Sequence, residues 1–139
     1  MQQFKMISEF LKKFSFVSPN TPDLFFSQKD GAAAKMDINV DINIKSSETQ
    51  MFMVDLIVNI DSKLDGGKVV FQIGVEYSAL IQIDGDPKGE GVKHALLVDV
   101  PRLLFPAVRG LVMQATGESG FPPLHMQSID FEEMYANRK

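Results

Sequence analysis

The chain is 139 residues long, 45% hydrophobic and 23% charged, with a net charge of -4 and no Cys. That length fits one domain, residues 1–139, with enough apolar content to fold as a unit. The lack of Cys excludes a disulfide framework, a zinc-thiolate site and a thiol nucleophile, and suits a reducing compartment such as the cytoplasm. The acid excess argues against nucleic acid, because Lys5, Lys12, Lys13 and Lys93 are scattered and form no phosphate-binding stripe.

At the start of the chain Phe4, Ile7, Leu11 and Phe14 recur at helical spacing with lysines between them, as in a targeting segment. Glu9 interrupts the pattern, and neither a long apolar core nor a small-residue cleavage site follows, so it is not a signal peptide. No stretch approaches the roughly 20 apolar residues of a membrane span, and no stable membrane insertion is expected. A short first strand is predicted around Phe14 and Phe16, then a turn over Ser18-Pro19-Asn20-Thr21-Pro22, then a connector from Leu24 to Ala34 anchored by Phe25 and Phe26. Met36 to Lys45 alternates strictly, with Met36, Ile38, Val40, Ile42 and Ile44 on one face and acids and amides on the other, which predicts a half-buried strand. After a turn over Ser46 to Gln50, Met51 to Ile60 is a second long strand. Asp65-Gly66-Gly67 is a hairpin signal, and Lys68 to Tyr77 returns as a third strand, which makes an antiparallel meander. Ser78 to Asp84 continues extended, and Gly85 to Gly91 reads as a mobile loop.

The next segment predicts a helix that is apolar nearly all round. Leu103, Leu104, Ala107, Val108, Leu111, Val112 and Ala115 are spread about its circumference, and only Arg102, Arg109 and Gln114 suit water. Pro106 fits best in a first turn, so the helix is placed from near Leu103 to an end at Gly117 and Gly120. Such a helix has more than one face to bury, which points to completion by copies of the same chain, with Leu104, Val108, Leu111, Val112 and Ala115 at the interface. In the last segment Asp130 and Glu133 have capping-box spacing, Ile129 and Met134 stand at staple positions, and Arg138 and Lys139 suit the C-terminal end of the dipole. Roughly nine residues are too few to stand alone, so this helix must dock through Phe131, Met134 and Tyr135.

Chemistry has little support. His94 and His125 lack a third ligand at metal-binding spacing, and His94 with Asp99 could form a base and its orienter but has no serine in a nucleophile elbow to serve. Asp84, Asp86 and Glu90 make the loop with Gly85, Gly89 and Gly91 repel phosphate, and Asp37, Asn39, Asp41 and Asn43 lie along a strand rather than around a calcium ion. No cofactor, metal or catalytic residue is therefore expected. More telling are eleven Phe and eight Met without one Trp. Phe25, Phe26, Phe121, Phe131 and Tyr135 fall in connectors and a short terminal helix, where they can offer a polarisable surface to many apolar segments.

Along nearly its whole length the chain resembles the SecB protein-export chaperones. The resemblance rests on Ser15-Phe16, Pro19-Asn20-Thr21-Pro22, Leu104-Phe105-Pro106-Ala107-Val108-Arg109, Gly120-Phe121-Pro122, and Ile129-Asp130-Phe131 through Tyr135. It implies an α+β fold, a four-stranded antiparallel sheet with two C-terminal helices on one face, assembled as a dimer of dimers. It also implies action without catalysis: holding unfolded preproteins, without ATP, in apolar grooves lined by Phe25, Phe26, Phe121, Phe131, Met134 and Tyr135 until the SecA motor receives them. The sequence departs from the pattern at Lys13, Val17 and Gly74, where typical members carry the acids that dock SecA, and it ends at Lys139 rather than in an acidic tail. Two alternatives accompany this reading: a SecB-like chaperone dedicated to one client such as an antitoxin, and a small-ligand-binding protein or hydrolase using His94 and Asp99.

Overall fold

The computed structural model describes residues 2–26, 34–46 and 50–138. Most of the predicted connector (27–33), the centre of the predicted turn (47–49) and Lys139 lie outside the described residues. In chain order the elements are β1 (Phe4–Val17), α1 (Asp23–Phe26), β2 (Ala34–Ser46), β3 (Met51–Leu64), β4 (Val69–Ile83), α2 (Glu90–His94), a π-helical turn (Ala95–Asp99), α3 (Val100–Glu118) and α4 (Phe131–Arg138). The strands form one antiparallel sheet in the order β1-β4-β3-β2. Its centre is the predicted meander, with β3 and β4 joined at Gly66 and Gly67, whose φ values of 95° and 91° are easily reached only by glycine.

The first strand corrects two expectations at once, because it starts ten residues before Phe14 and its spacing is not helical. Two bulges explain the error. Phe4 and Met6 pair with Ile83 and Ile81; after an irregularity between Met6 and Ser8, Glu9 and Leu11 pair with Ala79 and Tyr77; after a second between Leu11 and Lys13, Phe14 and Phe16 pair with Val75 and Ile73. Each bulge adds a residue and flips the parity, so one face of the sheet receives positions 4, 6, 9, 11, 14 and 16, and period two is lost from the sequence. The second bulge also brings Lys12 to 3.5 Å from Asp55, a carboxylate only 2% exposed on the opposite face. Asp55 accepts a 2.5 Å hydrogen bond from Ser78 Oγ, so β1, β3 and β4 are tied through one buried acid.

The core lies between α3 and the face of the sheet that receives Phe4, Met6, Phe14 and Phe16. Phe52, Val54, Leu56, Val58 and Ile60 of β3 alternate inward, as do Phe71, Ile73, Val75, Ala79 and Ile81 of β4. Against them α3 sets Leu104, Val108 and Val112, all with no exposed surface. The helical region begins earlier than the sequence suggests. Gly89 precedes α2, so the loop predicted to run to Gly91 ends there; Pro101 occupies the first turn of α3, and Pro106 lies inside it rather than at its start. In a regular helix the Pro101 ring would press on the carbonyl four residues back, that of Leu97. The chain widens instead: the Val100 N–H donates to the Ala95 carbonyl, five residues back, and the π turn absorbs the proline. Pro106 is exposed, where the carbonyl it frees can meet water.

Past α3, Gly120 has a φ of 86° and residues 121–130 return along the helix, with the Leu124 N–H donating to Thr116 Oγ1 at 2.8 Å and Arg109 donating to Ser128 Oγ at 3.1 Å. Asp130 caps α4 as its spacing predicts, its side chain accepting from the Glu133 N–H at 3.0 Å.

Tyr77, on the core face opposite Leu56 and Leu11, has its pKa raised above the ordinary 10.0, first by burial and then by the nearby Glu9 carboxylate. A raised folded-state pKa gives stability that is complete below the unfolded value and lost as pH rises through the folded one. Tyr77→Phe should therefore flatten the loss of stability above about pH 10, the unfolded value, and leave neutral-pH stability near that of the parent. Urea unfolding at stepped pH measures this, and an unchanged alkaline arm would assign the loss to another group.

Candidate functional site

The aromatic side chains fall into two sets. In the first, Phe16 stacks on Phe71 (5.7 Å between centroids), Phe71 meets Phe121 (5.5 Å), and Phe121 meets Phe25 (5.4 Å). The preceding turn fixes this arrangement: Ser18 Oγ donates to the Val70 carbonyl at 2.7 Å and Asn20 Nδ2 to the Val69 carbonyl at 2.9 Å, which plants α1 at the start of β4. Phe25 is wedged, its Cζ 3.1 Å from where a Cβ on Gly120 would stand. Phe26, one residue on, is 83% exposed.

In the second set Phe131, 2% exposed, meets Phe105 edge-on at 6.3 Å, the Arg109 guanidinium covers the Phe105 ring at 5.0 Å, and Tyr135 meets the His94 ring edge-on at 5.6 Å. Phe105 and Thr116, which mark the two sets along α3, are eleven residues apart, about 16 Å at 1.5 Å per residue. The structure thus brings Phe25 and Phe121 together at one end of the helix, and Phe131 and Tyr135 at the other with Met134 half-buried nearby. Phe131 is a docking residue of the core, while Phe26 is open.

Burial also divides the residues assigned to an interface between copies. Leu104, Val108 and Val112 have no accessible surface, a correction to that assignment, because the i, i+4 stripe they form packs on the sheet of its own chain. The side of α3 turned away carries Leu103 (56% exposed), Pro106, Ala107, Gly110 and Leu111, with Ala115 half-buried further along. Nothing lies within 4 Å of a Cβ built on Gly110.

A polar cluster sits where α2, the π turn and α4 meet. His94 Nε2 lies 2.6 Å from Glu132 and Nδ1 lies 3.6 Å from Asp99, with Arg102 4.0 Å from both carboxylates. Tyr135 donates to Glu90 at 2.5 Å. The two carboxylates meet different nitrogens of the imidazole, and among the described residues no group of three or more potential ligands is placed for a metal. Were Asp99 to orient His94 as a base, Nε2 would have to meet a nucleophile; it meets Glu132. His125 is exposed on the returning segment. Glu132 and Glu90 had no signal in the sequence, since their partners are 38 and 45 residues away.

On the far side of the sheet, Lys13 pairs with Glu76, Val17 with Gln72 and Gly74 with Ser15, so these three positions share one patch. Among the described residues no helix is long and apolar enough to cross a membrane.

The family model "Preprotein translocase subunit SecB" matches residues 1–139. The chain belongs to the SecB family. It is 37% identical over 135 residues to the protein-export protein SecB of Caulobacter sp. (strain K31), covering 97% of this chain and 80% of that one. It is 35% identical over 130 residues to the SecB of Rhodospirillum rubrum, covering 94% and 78%. Among solved structures it superposes on the SecB-like chaperone Rv1957 of Mycobacterium tuberculosis, in complex with a peptide from the HigA1 antitoxin, with a TM-score of 0.71 at 17% identity over 91% of this chain and 90% of that one. The fold that the SecB resemblance implied, a four-stranded antiparallel sheet with C-terminal helices on one face, is the fold observed.

Gly120 links α3 to the first aromatic set, and both its positive φ and the Phe25 ring exclude a side chain. Gly120→Ala should cost about 1–2 kcal/mol from the left-handed backbone alone and displace Phe25. Thermal unfolding and the Phe25 ring resonances would read both effects; a variant with parental stability would show that the turn relaxes freely.

Proposed function

We propose that this protein is an ATP-independent holdase that binds unfolded preproteins in the cytoplasm and keeps them fit for Sec-dependent export. The observation that carries this is apolar surface left over after the core is complete. Phe26 is 83% exposed, Leu103 56%, Ile38 43% and Met36 37%, and Met36 and Ile38 stand on the same face of the sheet as the helices. Apolar contacts of this kind recognise hydrophobic content rather than one sequence, and many weak contacts along one client add through effective concentration. We propose a client-binding surface built on Phe25, Phe26 and Phe121 at one end of α3 and on Met134 and Tyr135 at the other, with Phe131 holding the second wall in place. Delivery to SecA belongs to the same reading. Lys13, Val17 and Gly74 at the positions of the docking acids give that hand-over a weaker electrostatic component.

Client binding is testable on the open residue. The protein should suppress aggregation of a reduced, carboxymethylated client without nucleotide. Since burying a large aromatic contributes roughly 1.5–3 kcal/mol, Phe26→Ala should weaken binding about ten-fold or more while the melting temperature stays unchanged. Equal binding of folded and unfolded forms of one client would count against a holdase. Pull-down of one dominant partner, in place of many precursors, would favour a chaperone dedicated to a single client such as an antitoxin.

We further propose a homotetramer in which α3 meets its copies through Leu103, Ala107, Gly110, Leu111 and Ala115. Small residues let helix axes approach to about 8 Å, the short end of the usual range. Light scattering at micromolar concentration should give a tetrameric mass, reduced by Leu103→Arg. A monomeric parent would refute the assembly, and a tetrameric Leu103→Arg would move its interface off this face.

A further inference from the structure

We propose that His94 is the positioning residue that holds α4 closed, and that α4 swings about Phe131 when this hold is lost. Helix α4 has eight residues, too few to persist unaided, and its one buried side chain, Phe131, is its first. Beyond that anchor Met134 and Tyr135 pack half-buried against the core, and polar ties add to the hold. Glu132 and Tyr135, three residues apart and so on one helix face, both turn to His94, the first by its carboxylate at 2.6 Å from Nε2 and the second by its ring edge at 5.6 Å, while the Tyr135 hydroxyl donates to Glu90 at 2.5 Å. At the far end Arg138 Nη2 reaches the Ile42 carbonyl on β2 at 3.3 Å.

His94 can direct these partners because its own place is fixed. Val92, Ala95 and Leu96 around it are buried, and Asp99 at 3.6 Å from Nδ1 steadies the ring from the other edge. Arg102, 4.0 Å from both Asp99 and Glu132, bridges the two carboxylates. Each tie is partly solvated and weak by itself. A hold of this kind can open without unfolding the sheet, which a buried apolar anchor could not do.

The consequence for clients rests on the chaperone reading: with α4 free, the wall that carries Met134 and Tyr135 moves relative to β2, and a bound segment leaves faster. The test is hydrogen exchange on the full chain without any client. His94→Ala should speed exchange of amides 133–138 at least ten-fold while β3 and β4 stay within two-fold. Glu132→Ala should do the same, the double variant should exchange no faster than His94→Ala, and His94→Gln, which keeps a donor toward Glu132, should restore part of the protection. Unchanged exchange in His94→Ala, or additive effects in the double variant, would overturn the proposal. Release of reduced, carboxymethylated lysozyme should be at least three-fold faster from His94→Ala, and equal release would break the link between α4 and clients. A parent that binds no unfolded client would instead refute the chaperone reading, and the exchange result would still decide the role of His94.

Discussion

The rest of the structure depends on the contact between one face of the sheet and the stripe Leu104, Val108 and Val112 of α3. The three side chains have no exposed surface, and opposite them Val54, Leu56, Val58 and Ile81 are equally covered. At roughly 1.5–3 kcal/mol for each fully buried aliphatic side chain, this layer is the main source of stability. It also fixes which way α3 faces. With one stripe committed to the sheet, Leu103, Gly110 and Leu111 must face outward, so the surface offered to another copy follows from the core by subtraction.

Two features let α3 lie flat on that layer over its whole length. The π turn takes up the conflict between Pro101 and the preceding carbonyl, so α2 and α3 run on as nearly one rod from Glu90 to Glu118. At the other end the positive φ of Gly120 turns the chain back, and Phe25 closes over the space a side chain would fill. The returning segment is then held to α3 by Thr116 and Arg109, which delivers Phe131 to Phe105. Position along one helix is thus what separates the two aromatic sets.

The chaperone reading and the position of His94 draw on the same contrast between committed and uncommitted surface. Phe131 is committed, since its burial docks α4; Phe26 is not, since its neighbour Phe25 already fills the gap at Gly120. Glu132, Tyr135 and His94 meet at the rim of the core through partly solvated contacts, each weak by itself. A holdase needs adaptable walls on a rigid base, and here the base is the sheet with α3.

The sequence by itself determined β2, β3 and β4, the hairpin at Gly66 and Gly67, the capped last helix and the apolar character of α3, because each of these rests on local periodicity or turn chemistry. It also carried the family, through Leu104-Phe105-Pro106 and Gly120-Phe121-Pro122. Three things only the tertiary structure decided. β1 was obscured because its bulges are defined by pairing with β4, and the extra residues erase the alternation that marks a strand. The division of α3 into a core stripe and an outward face was hidden because apolar residues cover most of the helix circumference, and only packing on the sheet selects the stripe that is buried. The meeting of His94 with Glu132 and Tyr135 depends on the chain turning back at Gly120 and running along α3, a long-range juxtaposition for which no spacing in the sequence is a signal.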